Sequence, residues 1–167
     1  MAGRAPASRI PPRAGRRAPE RLAVVAARFN EEIVKRLVDG AVALLGREGI
    51  PPERLEVHWV PGSFELAQAA RALARTGRYH AIVCVGVVIK GSTPHFEYLS
   101  SAAAHGITRA ALDTGVPMSF GVITALTAEQ AWERAGGAVG NRGEEAALAA
   151  LELARLARGL GRGRARR

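Results

Sequence analysis

Residues 79–99, YHAIVCVGVVIKGSTPHFEYL, decide the fold. From Ala81 to Ile89 the chain is apolar and mostly β-branched, with no charge until Lys90, which is the pattern of a strand buried on both faces of a parallel sheet. The small polar residues Gly91-Ser92-Thr93-Pro94 then turn the chain; Thr93 suits the cap of a following helix and Pro94 its first position. The free N–H groups of such a first turn, with the positive end of the helix dipole, attract phosphate or carboxylate. His95 falls within that turn, and an imidazole is suited to proton transfer near neutral pH. On pattern alone, a plain βα turn carrying a surface histidine fits these residues equally well.

Gly86 and Gly91 followed by Ser92-Thr93 nearly spell a phosphate loop. The lysine that should follow the second glycine is missing, and Val87-Val88-Ile89-Lys90 favours strand over a flexible cradle. No GxGxxG follows a predicted strand, so a dinucleotide fold lacks its fingerprint.

A chain of 167 residues, 48% hydrophobic, predicts one domain with a sizeable core. The single cysteine, Cys84, excludes a disulfide framework or cysteine metal site and fits a reducing cytoplasm. The four histidines show no metal-ligand spacing, and no apolar run approaches the roughly 20 residues that cross a bilayer. The net charge of +9 is unevenly placed: residues 1–21 contribute +5, residues 155–167 contribute +6, and residues 22–154 contribute −2. The basicity therefore belongs to two tails rich in Arg, Pro, Ala and Gly, expected to be disordered over 1–21 and 159–167 around a domain at 22–158. A secretory signal is unsupported because the first 21 residues have no apolar segment; their arginines would suit a transit peptide, but serine is scarce.

Between the tails, strand and helix alternate. Strands are predicted at 22–27, 55–60, 81–89 and 118–124, with helices at 31–47, 63–76, 94–114 and from 128, and a last Ala-Leu-rich helix ending near 158. Thr127 with Gln130 has the spacing of a capping box. Repeated βα units predict a parallel sheet between helix layers, with ligands outside the carboxyl ends of the strands. That rule gathers Arg28-Phe29-Asn30, residues 61–65, residues 90–95 and residues 124–127 along one edge. Phe29 there could stack on a flat heterocycle or staple its own helix. Glu65 ordinarily serves the helix dipole, and Glu133-Arg134 reads best as a solvated pair.

Six blocks in register, RFN at 28–30, VPGSFEL at 60–66, GVVIKGSTPHFEY at 86–98, PMSFGVIT at 117–124, EQAWERAG at 129–136 and GNRGEEAA at 140–147, resemble the lumazine synthase family. The resemblance implies a three-layer, flavodoxin-like α/β subunit with a four-stranded parallel sheet, assembled as a homo-pentamer or as twelve pentamers in a shell, with active sites between subunits. It implies condensation of 5-amino-6-ribitylaminouracil with 3,4-dihydroxy-2-butanone 4-phosphate, without cofactor or metal, in the cytoplasm and functionally linked to riboflavin synthase. Phe29 would stack on the pyrimidine, Ser63, Phe64 and Glu65 would hold the ribityl chain, and Val88 and Ile89 would contact the ring through their backbones. Lys90, Gly91, Ser92 and Thr93 would surround the phosphate, with Arg134 clamping it and His95 as general acid/base. A neighbouring subunit would bring Phe120 over the ring and Arg142 near the ribityl chain or phosphate.

The chain departs from the family pattern at Arg142, where lysine is usual, at Leu126 in place of an acidic or amide residue, and at Ala102 and His80 in place of acidic ones. Three other readings stay open at this level: a relative that binds a lumazine or flavin without turnover, a nucleic-acid binder acting through its basic tails, and a shell or cargo carrier. The short link between Arg134 and Asn141 lacks the insertion that tends to accompany isolated pentamers in the family, which is compatible with a 60-subunit shell, while the residues ahead of the first strand could obstruct one; the sequence leaves pentamer and shell both open.

Overall fold

The computed structural model describes residues 18–164. Four parallel strands, β1 (Leu22–Ala27), β2 (Leu55–Val60), β3 (Ala81–Ile89) and β4 (Met118–Ala125), form one sheet in the order β2-β1-β3-β4. Every residue of β1 is buried, and so is β3 up to Val88, because helices cover both faces of the two central strands. Side chains alternate between the faces. Leu22, Val24 and Ala26 of β1 and Val83, Val85 and Val87 of β3 pack with α1 (Glu31–Arg47) and α5 (Arg142–Arg164). Ala23 and Val25, with Ile82, Cys84 and Val88, pack with α2 (Leu66–Arg75) and α3 (His95–Thr114). Each fully buried Val, Leu or Ile contributes about 1.5–3 kcal/mol, so the two faces of this strand pair hold the domain together. This is the three-layer α/β arrangement expected from the alternating pattern.

The differences are local. The helix expected over 63–76 opens as a single tight 3-10 turn, Ser63–Glu65, before the α-helix proper begins at Leu66. Thr93 does not cap α3: the cap position is Pro94, without a side-chain hydrogen bond, and the helix starts at His95. Proline lacks an N–H, so it serves as well just outside the first turn as within it. The capping box at α4 (Ala128–Glu133) is half formed: Thr127 Oγ1 accepts from Gln130 N, while Gln130 Oε1 reaches back to Leu126 N rather than to Thr127. Between α4 and α5 the glycine-rich link folds into a two-stranded hairpin, β5 (Ala135–Gly137) and β6 (Gly140–Asn141), which the sequence pattern does not announce.

The ends of the domain also lie further out than composition suggests. Helix α5 runs to Arg164, past the stop expected near 158, because the helix-forming Ala, Leu and Arg residues outweigh the interspersed glycines. Residues 18–21 are tied down rather than free: Arg158 donates to Ala18 O and pairs with Glu20 Oε1 at 2.7 Å, and Arg155 lies within 3.8 Å of Glu20 Oε2. The remainder of the two expected tails, 1–17 and 165–167, lies outside the described residues.

At the amino edge of the sheet Arg21 and His80 exchange hydrogen bonds, His80 N to Arg21 O at 2.8 Å and Arg21 N to His80 Nδ1 at 2.9 Å. The second bond requires Nδ1 to be unprotonated. Burial, then the nearby Arg158, hold the His80 pKa below its usual value against the opposing influences of the Arg21 backbone and then Glu20. The unfolded chain thus binds this proton more readily, so the contribution is present above about pH 6.5 and is lost as pH falls below it. The thermal midpoint should therefore drop more between about pH 7.5 and 5.5 in the native chain than in His80→Asn, whose amide oxygen can accept the same bond; equal drops in calorimetry would refute this.

Candidate functional site

A parallel register carries the carboxyl ends of all four strands to one edge, where Ala27 stands beside Val60 and Ile89 beside Ala125. The loop after β1 is held against the loop after β2 by Arg28 N to Val60 O at 2.8 Å and Phe29 N to Pro61 O at 3.1 Å. Helix α3 packs on the Ser63–Glu65 turn and on α2, with Gly106 close against Ala67. Phe29, Phe64, Glu65 and residues 90–95 thus all follow strands whose carboxyl ends share this edge.

Their environments differ. Phe29 is 72% and Phe64 56% exposed, large apolar surface left uncovered by the chain's own core. Glu65 is half-buried, and its Oε2 accepts from Gly62 N at 2.9 Å, so the carboxylate is fixed at the turn. Ser63 is buried, with its hydroxyl facing Gly86: a Cβ at that glycine would stand 2.6 Å from Ser63 Oγ. Only the Ser63 backbone, not its hydroxyl, can therefore serve a ligand at the edge. Val88 is buried and Ile89 half-buried, leaving their backbones as their polar contribution. Lys90 Nζ lies 3.9 Å from Glu97 Oε1 with both side chains about half exposed, a pair of little energetic weight.

The amides of Gly91, Ser92, Thr93, His95 and Phe96 have no protein acceptor among the described residues, whereas Glu97 N and Tyr98 N already return to Pro94 O. Such a run of donors at the amino end of a 20-residue helix has the chemistry to accept an anion, and His95 stands exposed beside it. Cys84, by contrast, is sealed in β3, and burial pushes its thiol up to about 12, which makes it inert.

Three expected site residues are not brought to this edge by their own chain. Phe120 lies within β4 opposite Cys84, five residues before Ala125 and so about 16 Å back along the strand. It is 45% exposed on the α3 side of an edge strand. Arg134, at the end of α4, donates to Gln130 O at 2.8 Å, and Arg142 pairs with Glu145. Both belong to the layer of α1 and α5, opposite the layer that α3 enters. Arg142 N donates to Arg134 O at 2.9 Å, so the two arginines form one basic unit. A groove of about 300 Å³ opens between α2 and α3, lined by Arg71, Arg109 and Asp113, and one of about 210 Å³ lies beside Asn30, Glu31 and Trp132. Neither is lined by Phe29 or His95.

Residues 19–158 match the family model described as 6,7-dimethyl-8-ribityllumazine synthase. The chain belongs to the lumazine synthase family. A relative from Halorhodospira halophila, itself named 6,7-dimethyl-8-ribityllumazine synthase, is 51% identical over 140 residues, which span 84% of this chain and 90% of that protein. Among the described residues no helix is long and apolar enough to cross a membrane.

Within the lumazine synthase block at 140–147, the structure separates structural residues from presented ones. Asn141 Oδ1 accepts from Gly143 N at 2.8 Å and Glu144 N at 3.3 Å, capping α5, while its Nδ2 donates to Arg36 O of α1 at 3.1 Å. Gly143 lies against the α1 backbone, where an added Cβ would meet Leu37 O at 2.0 Å. These contacts lock α5 onto α1 and leave Arg142 facing outward. Gly143→Ala should cost about 1–3 kcal/mol or more in denaturant unfolding, since backbone rather than a flexible side chain must move; a change within error would show that α5 does not need this approach.

Proposed function

We propose that the carboxyl edge of this sheet is where the chain carries out its family's reaction, the condensation of 5-amino-6-ribitylaminouracil with 3,4-dihydroxy-2-butanone 4-phosphate to 6,7-dimethyl-8-ribityllumazine with release of phosphate. The observation that carries the reading is the row of unclaimed amides at the start of α3 beside His95, in a chain matching the family over residues 19–158. The substrate phosphate accepts from the amides of Gly91, Ser92, Thr93, His95 and Phe96, with Lys90 adding charge at the rim. The pyrimidine stacks on Phe29 and meets the backbones of Val88 and Ile89. The ribityl hydroxyls meet the Ser63 backbone and the Glu65 carboxylate, with Phe64 alongside.

His95 moves the protons. It takes one from the attacking amine as the C–N bond forms and returns one as the carbonyl oxygen leaves as water. Loss of the proton from the carbon between the imine and the phosphate-bearing carbon breaks the C–O bond and expels inorganic phosphate; the enol left behind becomes a ketone, which the ribitylamino nitrogen attacks, closing the ring with loss of a second water. Most of the acceleration comes from holding two reactants in register, which a sparse site of this kind is built to do.

A neighbouring subunit completes the site. Phe120 covers the ring from that side, and the Arg134–Arg142 unit supplies the phosphate clamp; their shared backbone contact supports one subunit as the source of both. This favours a single donor over the split in which Arg134 and Arg142 come from different chains. The short hairpin between Arg134 and Asn141 is compatible with further assembly of pentamers into a 60-subunit shell, and the mass in solution tests this.

Mixing the purified chain with both substrates should produce the lumazine absorbance, and no absorbance above the uncatalysed rate would overturn the reading. Arg134→Ala should raise KM for the phosphate substrate about ten-fold or more while sparing KM for the pyrimidine. His95→Ala should lower kcat about a hundred-fold or less without abolishing turnover. An unchanged KM in the first or complete loss in the second would refute these roles.

A further inference from the structure

Asn30 is the one non-glycine residue with a positive φ among the described residues, at φ 60° and ψ 44°. This left-handed conformation is costly for most side chains, and Asn tolerates it better than nearly any other non-glycine residue. Although Asn30 occupies the cap position of α1, its side chain makes no capping bond there. Its Nδ2 instead donates across the sheet edge to Val87 O at 3.3 Å.

The surrounding ladder explains why. The pairing of β1 with β3 ends at Ala26 and Val85, while on the other flank β1 stays with the second loop through Arg28 N to Val60 O and Phe29 N to Pro61 O. The chain therefore leaves β3 just where Phe29 begins, and the Asn30 amide restores the missing cross-link. Phe29 is then pinned on one side by its own amide on Pro61 and on the other by its neighbour's side chain on Val87, which directly precedes Val88 and Ile89.

We infer that Asn30 is a positioning residue for the pyrimidine substrate, holding the Phe29 ring in register with the backbone of Val88 and Ile89. The inference rests on the stacking role proposed for Phe29. The side chain touches no reacting atom; it sets the separation between the two surfaces that hold one heterocycle. Misplacement on the scale of an ångström is enough to weaken such a fit markedly.

Three variants divide the two duties of the residue. Asn30→Gly keeps the backbone conformation and removes the donor, Asn30→Asp keeps size and conformational tolerance but turns an acceptor toward Val87 O, and Asn30→Ala loses both. Gly and Asp should each raise KM for 5-amino-6-ribitylaminouracil about ten-fold while KM for the phosphate substrate stays within about two-fold. Equal changes in both KM values, or a fall in kcat alone, would mean a merely structural role and overturn the inference. Amide exchange at Phe29 reads the pin without substrate: it should accelerate about ten-fold or more in Asn30→Gly, and unchanged exchange overturns the inference. Phe29→Ala measured alongside separates the two readings, since an unchanged pyrimidine KM there refutes stacking by Phe29, while exchange at Phe29 in Asn30→Gly still tests the pin.

Discussion

Pairing of β3 with β1 on one side and β4 on the other, all parallel, is the constraint from which the rest of this structure follows. A central parallel strand must be covered on both faces, so its side chains are apolar throughout and cannot do chemistry. Function is displaced to the ends of the strands. Because all four run the same way, their carboxyl ends coincide, and the loops that follow them share one edge.

That edge is assembled largely from backbone. The amides at the start of α3, the carbonyls of Pro61 and Val87, and the carboxylate of Glu65 turned back on Gly62 are polar groups placed by the ends of regular elements. The apolar surfaces of Phe29 and Phe64 stand exposed on the loops of the same edge. Such a surface suits a flat heterocycle joined to a polyol, with an anion held next to it. It remains open in one chain, and the residues that would close it sit elsewhere: Phe120 along an edge strand and the arginine unit on the opposite layer.

Much of this was legible in the residues. The unbroken apolar run from Ala81 to Ile89, ending in small polar residues, marks a buried strand feeding a helix, and strand boundaries at β1, β2 and β3 coincide with the reading. The shared edge followed from the parallel rule alone. What misled was local chemistry that more than one geometry satisfies. Pro94 is acceptable just before a helix or just inside it, and Gln130 can reach either Thr127 or Leu126. For residues 18–21, composition does not reveal that Glu20 meets Arg155 and Arg158 across the fold.

The amino-acid sequence by itself determined the order of strands and helices, the layer each helix face must cover and the family, because apolar periodicity and motif spacing are properties of neighbours along the chain. Only the tertiary structure decided that the Ser63 hydroxyl is turned inward against Gly86, that Asn141 and Gly143 serve the packing of α5 while Arg142 is presented, and that Asn30 bridges to Val87. Those contacts join residues dozens of positions apart, and their distances exist only once the sheet has set the separation between its loops.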